Sequence, residues 1–297
     1  MSWQNFSSIL ILIIILPLLV WGWVKIQERW GIYYPTRFSR EWFNTLPAGY
    51  EAVEFESGDG VELTGVYKEA DPDAPSVILA HGNAGDLRGR MIWFDLVVPP
   101  GWNGFIFDYR GYGASRGRPS EEGLYKDMVA AIDEIAERAA EDKIYLHGRS
   151  LGVPVAAYGA IKRAVKGIIM ESGLTSAADA ASTILPLPGV GMLLSVEFAT
   201  LEYLKKATEE HGPLPKIIVH GTDDRVLPFW LGEKLYKESP PPKTTWVVEG
   251  AGHNNLIEVA GEDVYLQRMR GFLESIKQDR AVNDLKGGGS GERGAGR

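Results

Sequence analysis

The stretch "KIYLHGRSLGVPVAAYGA", Lys143 to Ala160, decides how the rest of the chain is read. An apolar run suited to a buried strand, KIYLHG, meets a helix-like run, SLGVPVAAYGAIKRAV, with no residues left for a loop. So abrupt a turn forces its central residue, Ser150, into strained backbone. Side chains two residues to either side would collide, and Gly148 and Gly152 have none. The serine oxygen is then expected to stand clear of the sheet edge at a helix N-terminus. There the dipole and the free N–H groups favour a developing negative charge. The same G-x-S-x-G spacing recurs at Gly113 to Gly117. Ser115 there sits in a loop ahead of a helix that Pro119 introduces, away from any strand-to-helix turn. It reads as a turn residue, and Ser150 as the candidate nucleophile.

Outward from this turn, short apolar runs alternate with helical ones. "SVILAHG", "GFIFDYRG", "KIYLHG", "GIIMES", "KIIVHG" and "TTWVVEG" are brief continuous apolar runs, the pattern of strands buried on both faces. Ahead of them, "YEAVEFES" and "VELTGVYK" alternate in strand fashion around Gly58-Asp59-Gly60, a hairpin turn. Helices are predicted near Arg88–Val98, Ser120–Ala140, Ser150–Val165, Pro228–Glu238 and Val259–Lys277. Strand–helix alternation of this kind predicts an α/β fold, a mostly parallel twisted sheet with helices on both faces. Residues 174–211 depart from it, with helical pieces in "MLLSVEFATLEYLKK", and read either as a lid or substrate wall or as extra helical packing. The tail, 281–297, is glycine-rich and is predicted to be disordered.

A serine hydroxyl needs a base, and the base an orienting acid. Of five histidines, His81, His147 and His220 adjoin strand ends and His211 lies in the insertion. His253, in the loop "VEGAGHNNL" after the last strand, is the one placed to reach Ser150. The acid candidates are Asp223 and Asp224 in "VHGTDDRVLP", with Glu171 from the neighbouring strand as a third. For an oxyanion the expected donors are the N–H of Leu151, directly after the nucleophile, and the N–H of Asn83 in "LAHGNAGD".

A formal charge of −8 argues against a nucleic-acid surface, and the absence of cysteine excludes disulfides and thiolate metal sites. No metal or organic cofactor is called for by this chemistry. "FSSILILIIILPLLVWGWV", Phe6 to Val24, carries no charge and is long enough to cross a hydrocarbon core of about 30 Å. The start MSWQN lacks the basic residues of a cleaved leader, and Trp21, Trp23 and Trp30 suit a membrane interface. The expectation is a single-pass N-terminal anchor at 1–24 and a juxtamembrane segment at 25–47. Lys25, Arg29, Arg37 and Arg40 follow the span, which predicts a cytoplasmic body.

Together the pieces resemble the α/β-hydrolase fold family, and more narrowly its membrane-anchored α/β-hydrolase-domain serine hydrolases. The matching stretches are "LAHGNAGD" (79–86), "FDYRGYGASRGRPSEEGLYKD" (107–127), "LHGRSLG" (146–152), "ESGLTSAAD" (171–179), "VHGTDDRVLP" and "VEGAGHNNL". The resemblance implies an α/β-hydrolase fold over 48–280 and the order Ser150, Asp224, His253, choosing Asp224 over Asp223. It implies an acyl-enzyme route for carboxylic esters or thioesters, acyl or lipid-like. A serine peptidase of the same fold and a non-catalytic binding protein stay open as alternatives. Val153 stands where many relatives have a third glycine, a difference expected to alter helix packing only.

Overall fold

The computed structural model describes residues 15–26, 28, 31–139, 143–186 and 188–287, with side chains as far as residue 276. Its main sheet has eight strands in the order β10-β9-β8-β7-β4-β6-β3-β2. β2 (Tyr50–Glu56) and β3 (Glu62–Lys68) are the predicted hairpin, antiparallel to each other, and β3 is antiparallel to β6 (Asn103–Asp108). All other pairings are parallel: β4 (Ser76–Ala80), β6, β7 (Ile144–Arg149), β8 (Gly167–Glu171), β9 (Lys216–Gly221) and β10 (Lys243–Val248). The strands predicted from apolar runs are therefore all present. β10 differs from its prediction. It lies at the sheet margin, with no strand beyond it among the described residues, and Val247 is 41% exposed.

The strand period of two assigns each face. In β4, Ile78 and Ala80 join one core and Val77 and Leu79 the other. The first core is covered by α3 (Glu121–Ala136), α4 (Gly152–Lys162), α6 (Thr200–His211) and α7 (Trp230–Glu238). The second is covered by α2 (Met91–Val97), α8 (Leu256–Ala260) and α9 (Glu262–Gly287). The single helix predicted over Val259–Lys277 is two helices, split at Gly261, whose φ of 81° only glycine adopts readily. α9 runs on to Gly287, so 281–287 is helical where a disordered tail was predicted; 288–297 lie outside the described residues. In the insertion, α5 (Ala177–Ile184) and a 3₁₀ turn, Val190–Leu193, precede α6. The stretch MLLSVEFATLEYLKK is helical from Thr200 onward and in its first two residues, with non-helical backbone between.

Of the predicted membrane span, 6–14 lie outside the described residues, and 15–24 belong to a helix, α1 (15–26). Among the described residues no helix is long and apolar enough to cross a membrane. The segment after α1 is part of the body. A short strand β1 (Tyr34–Pro35) pairs in parallel with β5 (Ala84–Gly85), beyond the end of β4. A 3₁₀ helix, Arg40–Thr45, sets Trp42 and Phe43 against the second core.

Ser115 has the structural role expected of it. It is fully buried, its Oγ accepts the Thr64 N–H (2.9 Å) and donates to the Asp108 carbonyl (2.7 Å). Nearby, the buried Arg110 guanidinium bonds Asp127 (2.7 Å), Asp59 (2.9 Å) and Ser57 (3.0 Å), pinning the hairpin to α3.

Because the central strands are parallel, their C-terminal ends share one edge. The loops after β4, β7, β9 and β10 therefore meet there. β4 is also where the strand order reverses, between β6 on one side and β7 on the other. Such a reversal leaves a crevice at the strand ends.

Candidate functional site

Ser150 lies between β7 and α4 at φ 54°, left-handed backbone that costs a non-glycine residue about 1–2 kcal/mol. The surrounding packing enforces it. A Cβ at Gly148 would come within 2.5 Å of the Gly152 carbonyl oxygen, and one at Gly152 within 1.9 Å of the Ala80 carbonyl oxygen. The Ser150 N–H donates to the Glu171 carbonyl (2.9 Å), and its own carbonyl accepts the Val153 N–H (3.0 Å). Val153 is fully buried against Gly173, where a Cβ would lie 2.8 Å from its Cγ1. A glycine in the next loop thus makes room for the extra side chain in α4.

The structure brings His253 and Asp224 to this turn. His253 Nε2 lies 3.0 Å from Ser150 Oγ, and His253 Nδ1 lies 2.7 Å from Asp224 Oδ2. The His253 side chain is 10% exposed and Asp224's is fully enclosed, so the imidazole is held from behind and open in front. Asp224 Oδ1 accepts the N–H groups of Val226 (2.9 Å) and Leu227 (2.8 Å). Burial alone would raise this carboxyl. Hydrogen bonds from His220 and His253, with the backbone amide of Leu227, outweigh it and hold Asp224 well below the usual carboxylate range. Asp223 is exposed and bonded within its own turn, to Thr222 Oγ1 (3.3 Å).

Glu171, the third candidate acid, serves another cluster. It is buried, pairs with Arg149 Nε (3.1 Å), lies 3.4 Å from His147 Nε2 and accepts the Tyr265 hydroxyl. Burial pushes it up, but Arg149, His147 and Tyr265 bring it down to about 2. Arg149 also reaches the His253 carbonyl (3.3 Å) and Asn254 Oδ1 (3.4 Å), so this cluster steadies the histidine loop without touching the imidazole. The remaining histidines are placed apart from Ser150. His81, His147 and His220 are buried, and His211 bonds the Ile161 carbonyl (2.9 Å) at the end of α4.

Asn83 and Leu151 line the same cleft as Ser150. Neither backbone N–H donates to a backbone carbonyl among the described residues. The Asn83 side chain turns away, donating to the Ile32 carbonyl (3.0 Å). Its own carbonyl accepts the Tyr34 N–H (2.9 Å).

The cleft is an open cavity of about 450 Å³ with mostly apolar walls. Leu174, Ile184, Leu194 and Phe198 form one wall, from the insertion. Trp23, Val24, Glu28 and Ile32 form the other. The two walls are fastened together: Lys25 Nζ bonds Ser195 Oγ (2.6 Å) and Glu28 Oε2 (2.7 Å), and Glu28 accepts the Ser195 N–H. Sequence reasoning missed these N-terminal residues, because a segment next to an apolar span reads as a linker. The one available hint was the apolar pair Ile32-Tyr33 continuing past the charges at 25–29.

Comparison with known proteins follows the same lines. A family model described as alpha/beta hydrolase fold matches residues 75–193. A Mycobacterium tuberculosis protein is 32% identical over 252 residues, covering 83% of this chain and 87% of its own length. The Escherichia coli protein YfhR is 30% identical over 254 residues, covering 82% and 86%. Human alpha/beta hydrolase domain-containing protein 17B is 29% identical over 252 residues, covering 83% of each. Among solved structures, an esterase of Pyrococcus furiosus superposes with a TM-score of 0.63 at 20% identity, over 83% of this chain and 98% of that one. At that identity the likeness is one of fold.

Proposed function

This chain belongs to the α/β-hydrolase fold family, and from that premise we propose that it is a serine hydrolase. Its substrates are carboxylic esters or thioesters, attacked through an acyl-enzyme. The observation that carries the reading is the 3.0 Å contact between Ser150 Oγ and His253 Nε2 at a left-handed turn facing an apolar cavity. Ser150 Oγ attacks the acyl carbonyl while His253 Nε2 takes its proton. Asp224, kept ionised, holds the tautomer with Nδ1 protonated and stabilises the imidazolium. The N–H groups of Leu151 and Asn83 receive the oxyanion, each donor worth about 3 kcal/mol in the transition state. Collapse expels the alcohol or thiol, which leaves with the proton from His253. Water, deprotonated by the same imidazole, then releases the acid.

The walls of the cavity favour an acyl chain over a charged group. Among the described lining residues Glu28 is the one carboxylate, and it is engaged by Lys25 and the Ser195 N–H. A peptidase of this fold often uses such a group, left free, to bind the substrate's amine, so the ester and thioester reading is preferred. The uncharged stretch 6–24 supports a single-pass anchor, and Lys25, Arg29, Arg37 and Arg40 after it support a body on the cytoplasmic side, which would present membrane-borne acyl groups to the cleft. The test is labelling with a fluorophosphonate probe. Labelling of the intact protein and none of Ser150→Ala is expected; equal labelling of both defeats the proposal. Turnover of p-nitrophenyl esters and acyl thioesters, against none of aminoacyl amides, separates it from the peptidase.

A further inference from the structure

The stretch DYRGYG, 108–113, has no part in the reaction just described, yet two of its side chains reach the loop that carries Asn83. Tyr109 Oη donates to the His81 carbonyl (2.9 Å). His81 Nδ1 lies 2.7 Å from the Gly82 carbonyl oxygen, an acceptor only, so this nitrogen carries the proton. Tyr112 Oη donates to the Asn83 carbonyl (2.8 Å), which also accepts the Tyr34 N–H. Three successive carbonyls of one turn are thus each held by a donor. All three donating side chains are fully buried, and their rings pack together, His81 at 4.4 Å from Tyr109 and 5.3 Å from Tyr112.

The middle grip matters most. The Gly82 carbonyl and the Asn83 N–H belong to one planar peptide unit and point in opposite directions. Fixing the carbonyl therefore aims the N–H. The flanking grips stop the unit from flipping at either end. An oxyanion donor already aimed needs no reorganisation when charge develops, which is where such donors gain their effect.

We infer that His81, Tyr109 and Tyr112 are positioning residues that hold the Asn83 N–H toward the oxyanion formed at Ser150. The inference rests on the serine-hydrolase reading. Burial raises both tyrosine hydroxyls, so they remain protonated donors throughout the neutral range. Behind His81, Asp108 Oδ1 lies 3.4 Å from Nε2 and caps the Leu87 N–H (2.8 Å), leaving Nδ1 to face Gly82.

The test uses the full chain with Tyr112→Phe and Tyr109→Phe, which keep the rings and remove only the hydroxyls, and His81→Asn beside His81→Leu. Steady-state hydrolysis of a short p-nitrophenyl ester gives kcat and KM. Inhibition by an alkylboronic acid, which forms a tetrahedral anion on the serine, reports on the oxyanion site alone. For Tyr112→Phe, kcat is expected to fall about tenfold, less than the 10²–10³ of outright donor loss, with KM within about twofold. Boronate affinity is expected to weaken by the same factor. His81→Asn, which retains an N–H near the Nδ1 position, should recover part of what His81→Leu loses. Folded Tyr112→Phe and Tyr109→Phe proteins with wild-type kcat and boronate affinity overturn the inference, as does a loss confined to KM or to thermal stability. A wild-type protein that neither turns over the ester nor takes up a fluorophosphonate defeats the underlying reading instead.

Discussion

Gly152 shows how tightly the turn around Ser150 is specified. A methyl group there meets the main chain of β4 at 1.9 Å, and main chain in a central strand cannot step aside. Gly152→Ala is expected to cost more than about 3 kcal/mol in urea unfolding. Gly49→Ala, at φ 90° but in open space, is expected to cost only about 1 kcal/mol. Similar losses for the two would refute the steric account. Acid stability tests the cluster beneath the site. Glu171 titrates at its ordinary value of 4.5 when unfolded and at about 2 when folded. Between these values the unfolded chain binds more protons, so the stabilisation present above pH 4.5 is lost as pH falls toward 2. In Glu171→Gln this part of the acid transition should vanish; an unchanged slope of stability against pH across that window would contradict it. The sequence alone singled out Ser150, through the lack of room for a loop, and His253, through its place after the last strand, and the structure sets the two 3.0 Å apart. It did not separate Asp223 from Asp224. Two adjacent residues of one turn face opposite ways, and only the resemblance to relatives, then the coordinates, distinguished them.

Elements tell a more mixed story. Buried strands were legible because parallel strands covered on both faces must be continuously apolar. Helix ends were legible where caps mark them. Ser120 caps α3 through the Gly123 N–H (3.2 Å), and Ser120→Ala should cost about 1 kcal/mol by thermal or chemical unfolding. No change would mean that Glu121 and Glu122 in the first turn suffice. The insertion was less legible. Its non-helical stretch between Leu193 and Thr200 is fixed by Glu121 of α3, which accepts the N–H groups of Glu197 (2.8 Å) and Phe198 (2.5 Å). Contacts so distant in sequence leave no local pattern. Since α5 and this stretch wall the cavity, bulk placed there should shorten the acyl chain accepted. Ala181→Phe is expected to lower kcat/KM for long-chain p-nitrophenyl esters about tenfold or more while sparing butyrate. A uniform loss across chain lengths would remove the insertion from the binding site.

The molecule as a whole joins its amino-terminal region to the cleft that holds Ser150. Ile32 and Tyr34 hold Asn83 through its side chain and its carbonyl, and Val24 and Glu28 wall the cleft. Shortening the chain should therefore have two distinct effects. A protein beginning at residue 25 loses Trp23 and Val24 from the wall but keeps the Ile32 and Tyr34 bonds to Asn83, so it is expected to leave the membrane fraction yet retain kcat on a short water-soluble ester. One beginning at residue 37 should lose most of that activity even when it remains folded. Equal activity of the two would separate β1 from the site. Global architecture was largely readable from the order of apolar and helical runs. This attachment was not, because a ladder of two residues on each strand leaves almost no pattern in the sequence. The strand order has one more consequence. Among the described residues β2 and β10 are the two rims of the main sheet, each with one side not paired to another strand of it. β2 carries Glu51, Glu54 and Glu56 along its exposed length. Glu51 is paired with Arg138 and Glu54 with Arg40, so a second molecule docking on this rim would have to strip water from a row of charged groups, which discourages the sheet from recruiting copies of itself into aggregates.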